Sequence, residues 1–143
     1  MVDVSAKPAV LREALAVGEV RLQTGTLDLI ESERVAKGNV LATARIAGIQ
    51  AAKRTGELIP LCHPLPITLC EVQFEIPASR DRIVISATVK VNAPTGVEME
   101  ALTAVAVAGL TIYDMCKAVD KTMVLEAIRL VRKTKQASAD VPR

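Results

Sequence analysis

From Ala101 to Ile112 the chain runs for twelve residues, ALTAVAVAGLTI, without one ionisable side chain, and then breaks into YDMCKAVDK. A helix of that composition has little polar face to offer water, so it has to lie against a second layer of structure. Its charged end is the harder feature. Asp114, Lys117 and Lys121 fall at offsets of zero, three and seven, which a helix stacks on one face. The negative end of a helix dipole accounts for the lysines but not for Asp114.

The chain of 143 residues has no Gly/Ser-rich or Pro-rich linker, which predicts one domain over residues 1–143 with a core of ordinary size. Hydrophobic residues make up 50% and Phe, Trp and Tyr together 1%, so that core is built from Ala, Val, Leu and Ile; Phe74 and Tyr113 are the only residues of those three types. No apolar run approaches the ~18 to 20 residues that span a bilayer, and MVDV is not a secretory start, so a cytoplasmic protein is expected. A net charge of +2 points to neither a nucleic acid nor a membrane as partner. Cys62, Cys70 and Cys116 lack CxxC spacing and suggest neither a disulfide framework nor a thiolate metal site; reduced thiols, and no metal or cofactor, are expected.

Val17 to Thr24 alternates as a strand, and TLDLIESER reads as a short helix. Asn39 to about Thr55 predicts a largely buried helix with Asn39 as N-cap and Lys53 and Arg54 at its cation-favouring end. Ile67 to Ile76 and Arg82 to Val91 predict a hairpin around PASRD. Thr95 and Glu98 have capping-box spacing ahead of a helix reaching about Val119. A last strand covers TMVLEAIRLVRKTK, and residues 136–143 read as a frayed tail. The order β-α-α-β-β-α-β contains a split βαβ pattern. It predicts an α+β fold of ferredoxin-like type, an antiparallel sheet with helices packed on one face.

Several residues are candidates for chemistry. His63, the only histidine, sits in the apolar loop GELIPLCHPLPIT; it either packs and hydrogen-bonds beneath the loop or contacts a substrate. Cys62 and His63 are sequence neighbours whose side chains diverge, which argues against a nucleophile pair. Glu98 fits the capping box, whereas Glu100 cannot close it and is the last charge before Asp114. Lys37 precedes a helix N-terminus, suiting either an anion shared with free N–H groups or plain solvation. Arg45, in mid-helix, predicts a buried ion pair. Asp114 and Lys117 are within pairing distance on a helix, beside Tyr113, Met115 and Cys116, which predicts a semi-buried pair fit for proton transfer or phosphate contact; a surface ion pair is the plainer reading.

Four stretches, MVDVSAK, ATARIAGIQAAKRT, LIPLCHPL and TGVEMEALTA…LTIYDMCKAV, together resemble the cyclic pyranopterin monophosphate synthase family of molybdenum cofactor biosynthesis, in family order over nearly the whole chain. The resemblance implies a lyase that converts (8S)-3′,8-cyclo-7,8-dihydroguanosine 5′-triphosphate, a GTP-derived substrate, to cyclic pyranopterin monophosphate and pyrophosphate. It also implies a homohexamer built as three dimers. Residue by residue, it makes Asp114 the catalytic acid/base group with Lys117 as partner. It assigns Leu61, Cys62, His63, Met99 and Glu100 to substrate binding, and Lys37 and Lys53 to further pocket positions. Two departures stand out: the family usually has a longer arm before MVDVSAK, and often a lysine where this chain has Ala93-Pro94.

Glu100 and Asp114 are fourteen residues apart, about 21 Å along a straight helix and only about 40° apart around it. One helix therefore cannot bring both to one reacting centre. Two such helices antiparallel across a dimer axis can, which predicts sites at the dimer interface with Met99 and Glu100 from one chain and Asp114 and Lys117 from its neighbour; the alternative is a long pocket within one chain, its two ends occupied by the base and the triphosphate. The competing reading is a ferredoxin-like module that binds a nucleotide without turnover. RNA binding through stacked aromatics is excluded by a single Phe and a single Tyr.

Overall fold

A computed structural model describes residues 1–136. Four strands, β1 (Val10–Arg21), β2 (Leu69–Glu75), β3 (Arg82–Ala93) and β4 (Val124–Gln136), form one sheet in the order β2-β3-β1-β4. Every neighbouring pair is antiparallel. The helices are α1 (Thr24–Glu31), α2 (Val40–Lys53), the single turn α3 (Thr55–Leu58) and α4 (Glu98–Cys116). This is the expected ferredoxin-like arrangement, with β2 and β3 as the predicted hairpin.

Strand alternation builds the inner face. Along β3, Ile83, Ile85, Ala87, Val89, Val91 and Ala93 are buried while the residues between them are not. Ala14, Ala16 and Val20 of β1 continue that face. Onto it packs α4 through Ala101, Ala104, Val105, Ala108 and Ile112, and these residues join one hydrophobic cluster. Small residues allow a close approach of α2: a methyl group added at Gly48 would sit 2.9 Å from the Ala104 carbonyl oxygen.

Several boundaries and contacts differ from expectation. β1 begins at Val10, seven residues earlier than predicted; Val10, Ala14, Ala16 and Val20 share its inner face, and Arg12, which interrupts that alternation, donates from the strand to the Ala93 and Pro94 carbonyls at 3.1 Å each. α2 is buried only at Val40, Ala44, Gly48, Ala51 and Ala52, a one-sided helix with Ile46 exposed. Arg45 makes no buried ion pair. It is exposed, donates to the Val72 carbonyl at 2.9 Å and stands 5.4 Å from the Phe74 ring centre. The capping box does not form: α4 starts after Val97 without a side-chain cap, and Glu98 pairs with Lys133 at 3.1 Å. α4 ends at Cys116 rather than near Val119. At 19 residues it is long and apolar enough by composition to cross a bilayer, against expectation, but half of the qualifying window is buried inside this fold. Gln136 closes β4 instead of opening a tail; the rest of the predicted tail lies outside the described residues.

Candidate functional site

The candidate residues gather at the two ends of α4. At its N-terminal end a cavity of about 320 Å³ opens between the start of the helix and the loop that follows α3. Leu61, Cys62 and His63 line it from the loop, Met99 and Glu100 from the first turn of α4. All five were expected to bind substrate. Glu100 is 3% exposed, and burial raises its pKa above the ordinary carboxylate range. Burial, with the Glu100 charge adding to it, also raises the Cys62 thiol, so this cysteine is not an activated nucleophile.

The N-terminal segment supplies the remaining wall through Val2, Val4 and Lys7. His63 Nε2 lies 2.7 Å from the Val2 carbonyl oxygen, a contact that requires Nε2 to carry the proton and donate. The histidine thus hydrogen-bonds to backbone, as the first of its two sequence readings expects, and also borders the cavity. Lys7 was not anticipated. Only the lysine of MVDVSAK signalled it, and nothing local ties that residue to a loop more than fifty positions away.

At the opposite end of α4, Asp114 is held between two ammonium groups. Lys37 Nζ lies 2.7 Å from Oδ2 and Lys117 Nζ 3.0 Å from Oδ1. Hydrogen bonds from Lys37 first and Lys117 second hold the Asp114 carboxyl below its usual range. The Asp114–Lys117 pair is therefore as the helix spacing predicts, but it is not semi-buried: both side chains are 54% exposed. Met115 and Cys116 point into the core instead of covering it. Lys117 is the C-cap of α4, and Lys121 folds back to donate to the Lys117 carbonyl at 2.6 Å, so the predicted three-residue stripe ends at two.

Lys37 departs furthest from its sequence reading. Its ammonium binds Asp114, seventy-seven positions away, a partner that its neighbours in sequence do not signal. Lys53 is exposed in the last turn of α2 and does not line the cavity. Its charge acts instead on Cys70, whose thiol burial pushes up to about 11 against the opposing pull of that lysine. Among the described residues no cluster of three or more His, Cys, Asp or Glu is placed to hold a metal ion.

One region is thus concave and holds a desolvated carboxylate, while the other is open, cationic and holds an ionised one. A family model, that of the MoaC family, matches residues 1–136 and so spans both. The chain belongs to the MoaC family. It is 57% identical over 140 residues to the cyclic pyranopterin monophosphate synthase of Roseiflexus sp., covering 98% of this chain and 89% of that one. It is 59% identical over 134 residues to the synthase of Desulfitobacterium hafniense, covering 94% and 82%. A Mycobacterium tuberculosis protein, cyclic pyranopterin monophosphate synthase 3, is 61% identical over 134 residues, covering 94% and 75%. As a MoaC family member the chain is an enzyme, a lyase of molybdenum cofactor biosynthesis.

Proposed function

We propose that this enzyme converts (8S)-3′,8-cyclo-7,8-dihydroguanosine 5′-triphosphate to cyclic pyranopterin monophosphate, releasing pyrophosphate. The observation that carries the reading is the Asp114 carboxylate fixed between Lys37 and Lys117. A carboxylate kept ionised can accept a proton from the rearranging ring and return it elsewhere. Lysines beside it offset phosphate charge as a ribose-derived hydroxyl attacks the α-phosphorus and pyrophosphate leaves. No electrons are gained or lost, so no redox cofactor enters the balance. Leu61, Cys62, His63, Met99 and Glu100 take up the base and ribose in the cavity, and Lys37 and Lys53 supply further charge.

The protein works as a homo-oligomer, a hexamer of three dimers in the cytoplasm, with each site shared across a dimer interface. What supports sharing is separation: within one chain the cavity and the Asp114 clamp flank the length of α4. Incubation with the cyclic triphosphate, followed by assay of pterin product and pyrophosphate, tests the reaction. Unchanged nucleotide at equilibrium binding would favour a sensor module over an enzyme acting on this substrate.

A further inference from the structure

Asp120 is a charged residue that the proposed reaction leaves without a task, and it is 2% exposed. Burying a carboxylate is costly unless its oxygens are saturated with donors. Here they are. Oδ2 accepts from the Gln23 backbone N–H at 3.0 Å and from Thr26 Oγ1 at 2.8 Å. Oδ1 accepts from the Thr122 N–H at 2.8 Å and Thr122 Oγ1 at 2.7 Å. Burial opposes ionisation, yet these four donors prevail and hold the carboxyl down at about 2. Among the described residues no cation pairs with it. The titratable neighbour is Cys116, whose thiol is raised by burial and then by the Asp120 charge.

The donors come from two segments far apart in sequence. Gln23 is the N-cap of α1 and Thr26 lies in its first turn, while Asp120 and Thr122 belong to the turn that leaves α4. That turn is closed on the helix by the Asp120 N–H, which donates to the Cys116 carbonyl at 3.0 Å, next to Lys117. α1 leads through residues 32–36 to Lys37. One carboxylate therefore joins the segment that delivers Lys37 to the segment that carries Asp114 and Lys117.

We propose that Asp120 is a positioning residue for the Asp114 clamp, holding α1 against the end of α4 so that both lysines meet the aspartate. This rests on the reading of Asp114 as the acid/base group. Asp120 is buried and acts through Lys37 and Lys117, the two charged groups that face Asp114. Charge-assisted bonds to four donors make a stiffer joint than neutral ones, and a shift of about 1 Å at a reacting group costs on the order of 100-fold in rate.

The test compares Asp120→Asn and Thr26→Val, each alone and combined with Lys37→Ala, by kcat, KM, the acid limb of the kcat–pH profile and thermal melting. Asp120→Asn is expected to lower kcat by roughly 10- to 100-fold with little change in KM. It should also move the acid limb to higher pH, because Asp114 loses the lysine contact that keeps it ionised. Combined with Lys37→Ala the two effects should overlap rather than add. A folded Asp120→Asn protein with unchanged kcat and acid limb, or full additivity with Lys37→Ala, overturns the proposal. Should Asp120→Asn fail to fold, Thr26→Val decides alone, and normal kcat and limb there overturn it equally. Asp114→Ala in the same assay separates the two ideas. If it keeps its turnover, the acid/base reading falls; if it is dead while the Asp120 and Thr26 variants behave normally, only the positioning role falls.

Discussion

The two ends of α4 carry the same functional group in opposite surroundings. Glu100, in the first turn, is buried and its pKa is raised by desolvation; Asp114, in the last turn, is exposed and its pKa is lowered by two ammonium groups. The helix dipole would have done the reverse, favouring an anion at the start and a cation at the end. At both ends the tertiary neighbours outweigh it, because loss of water around one carboxyl and direct ion pairs around the other act at closer range. The two carboxyls are thus driven apart in pKa, one upward by loss of water and the other downward by paired cations. In this chain the division coincides with a division in shape, since the cavity is at one end and the cation pair at the other.

The strongest way to break this comparison is to remove the ionised partner. Asp114→Ala is expected to lose roughly 100- to 10,000-fold in turnover with an unchanged melting temperature, since its side chain supports no core. Near-normal product formation by the variant would make the cation pair an ordinary surface contact. Next in size is a test of whether the two ends cooperate across subunits. Inactive Glu100→Ala and Asp114→Ala proteins, mixed in equal amounts and allowed to exchange, should recover about a quarter of native activity, because half the dimers are mixed and one pocket in each is intact. No recovery after mass spectrometry has confirmed exchange would mean that each end works only within its own chain.

Two smaller effects sharpen the electrostatic contrast. Asp114 is held below its ordinary pKa, so activity that needs its ionised form persists in mild acid and fails only as pH falls through that lowered value. Lys37→Ala removes the larger cause and should shift the acid limb upward; a limb that stays put would show that Lys117 alone controls the charge. Glu100 is the opposite case. Its raised pKa means that the ionised form costs stability above that value and that the cost disappears as the native carboxyl protonates. Glu100→Gln should therefore raise the melting temperature at pH 7, by a margin that shrinks on acidification, while turnover falls. A margin independent of pH would remove desolvation as the cause.

What the sequence made readable was local or periodic. Asn39 caps α2 as its position predicts, its side chain accepting from the Ala42 N–H at 3.0 Å. The alternation of β2 and β3 and the i,i+3 pair of Asp114 and Lys117 also needed no distant information. What it hid was decided by partners far along the chain. Glu98 had capping-box spacing, but Lys133 on β4 is near enough to pair with it instead. Arg45 looked destined for a buried ion pair because its helix reads as apolar on most sides, yet its turn of α2 faces the free edge of β2. Lys37 showed only its neighbours in sequence, so its 2.7 Å contact with Asp114 was invisible until α1 and α4 were folded together. The motifs singled out candidate residues, and the fold determined which of them meet.

The α2–α4 contact at Gly48 has a consequence for how the molecule can change its length. With 2.9 Å between an added methyl and the Ala104 carbonyl, α4 has no room to slide or to loop out a residue on that side. Each residue inserted between Glu100 and Asp114 would advance the far end by about 1.5 Å and turn it by about 100°, swinging Asp114 away from Lys37. Surface loops tolerate insertions and deletions because they can bulge into solvent. α4 behaves instead like a machined shaft, whose keyed ends stay in phase only while the count of residues between them stays fixed.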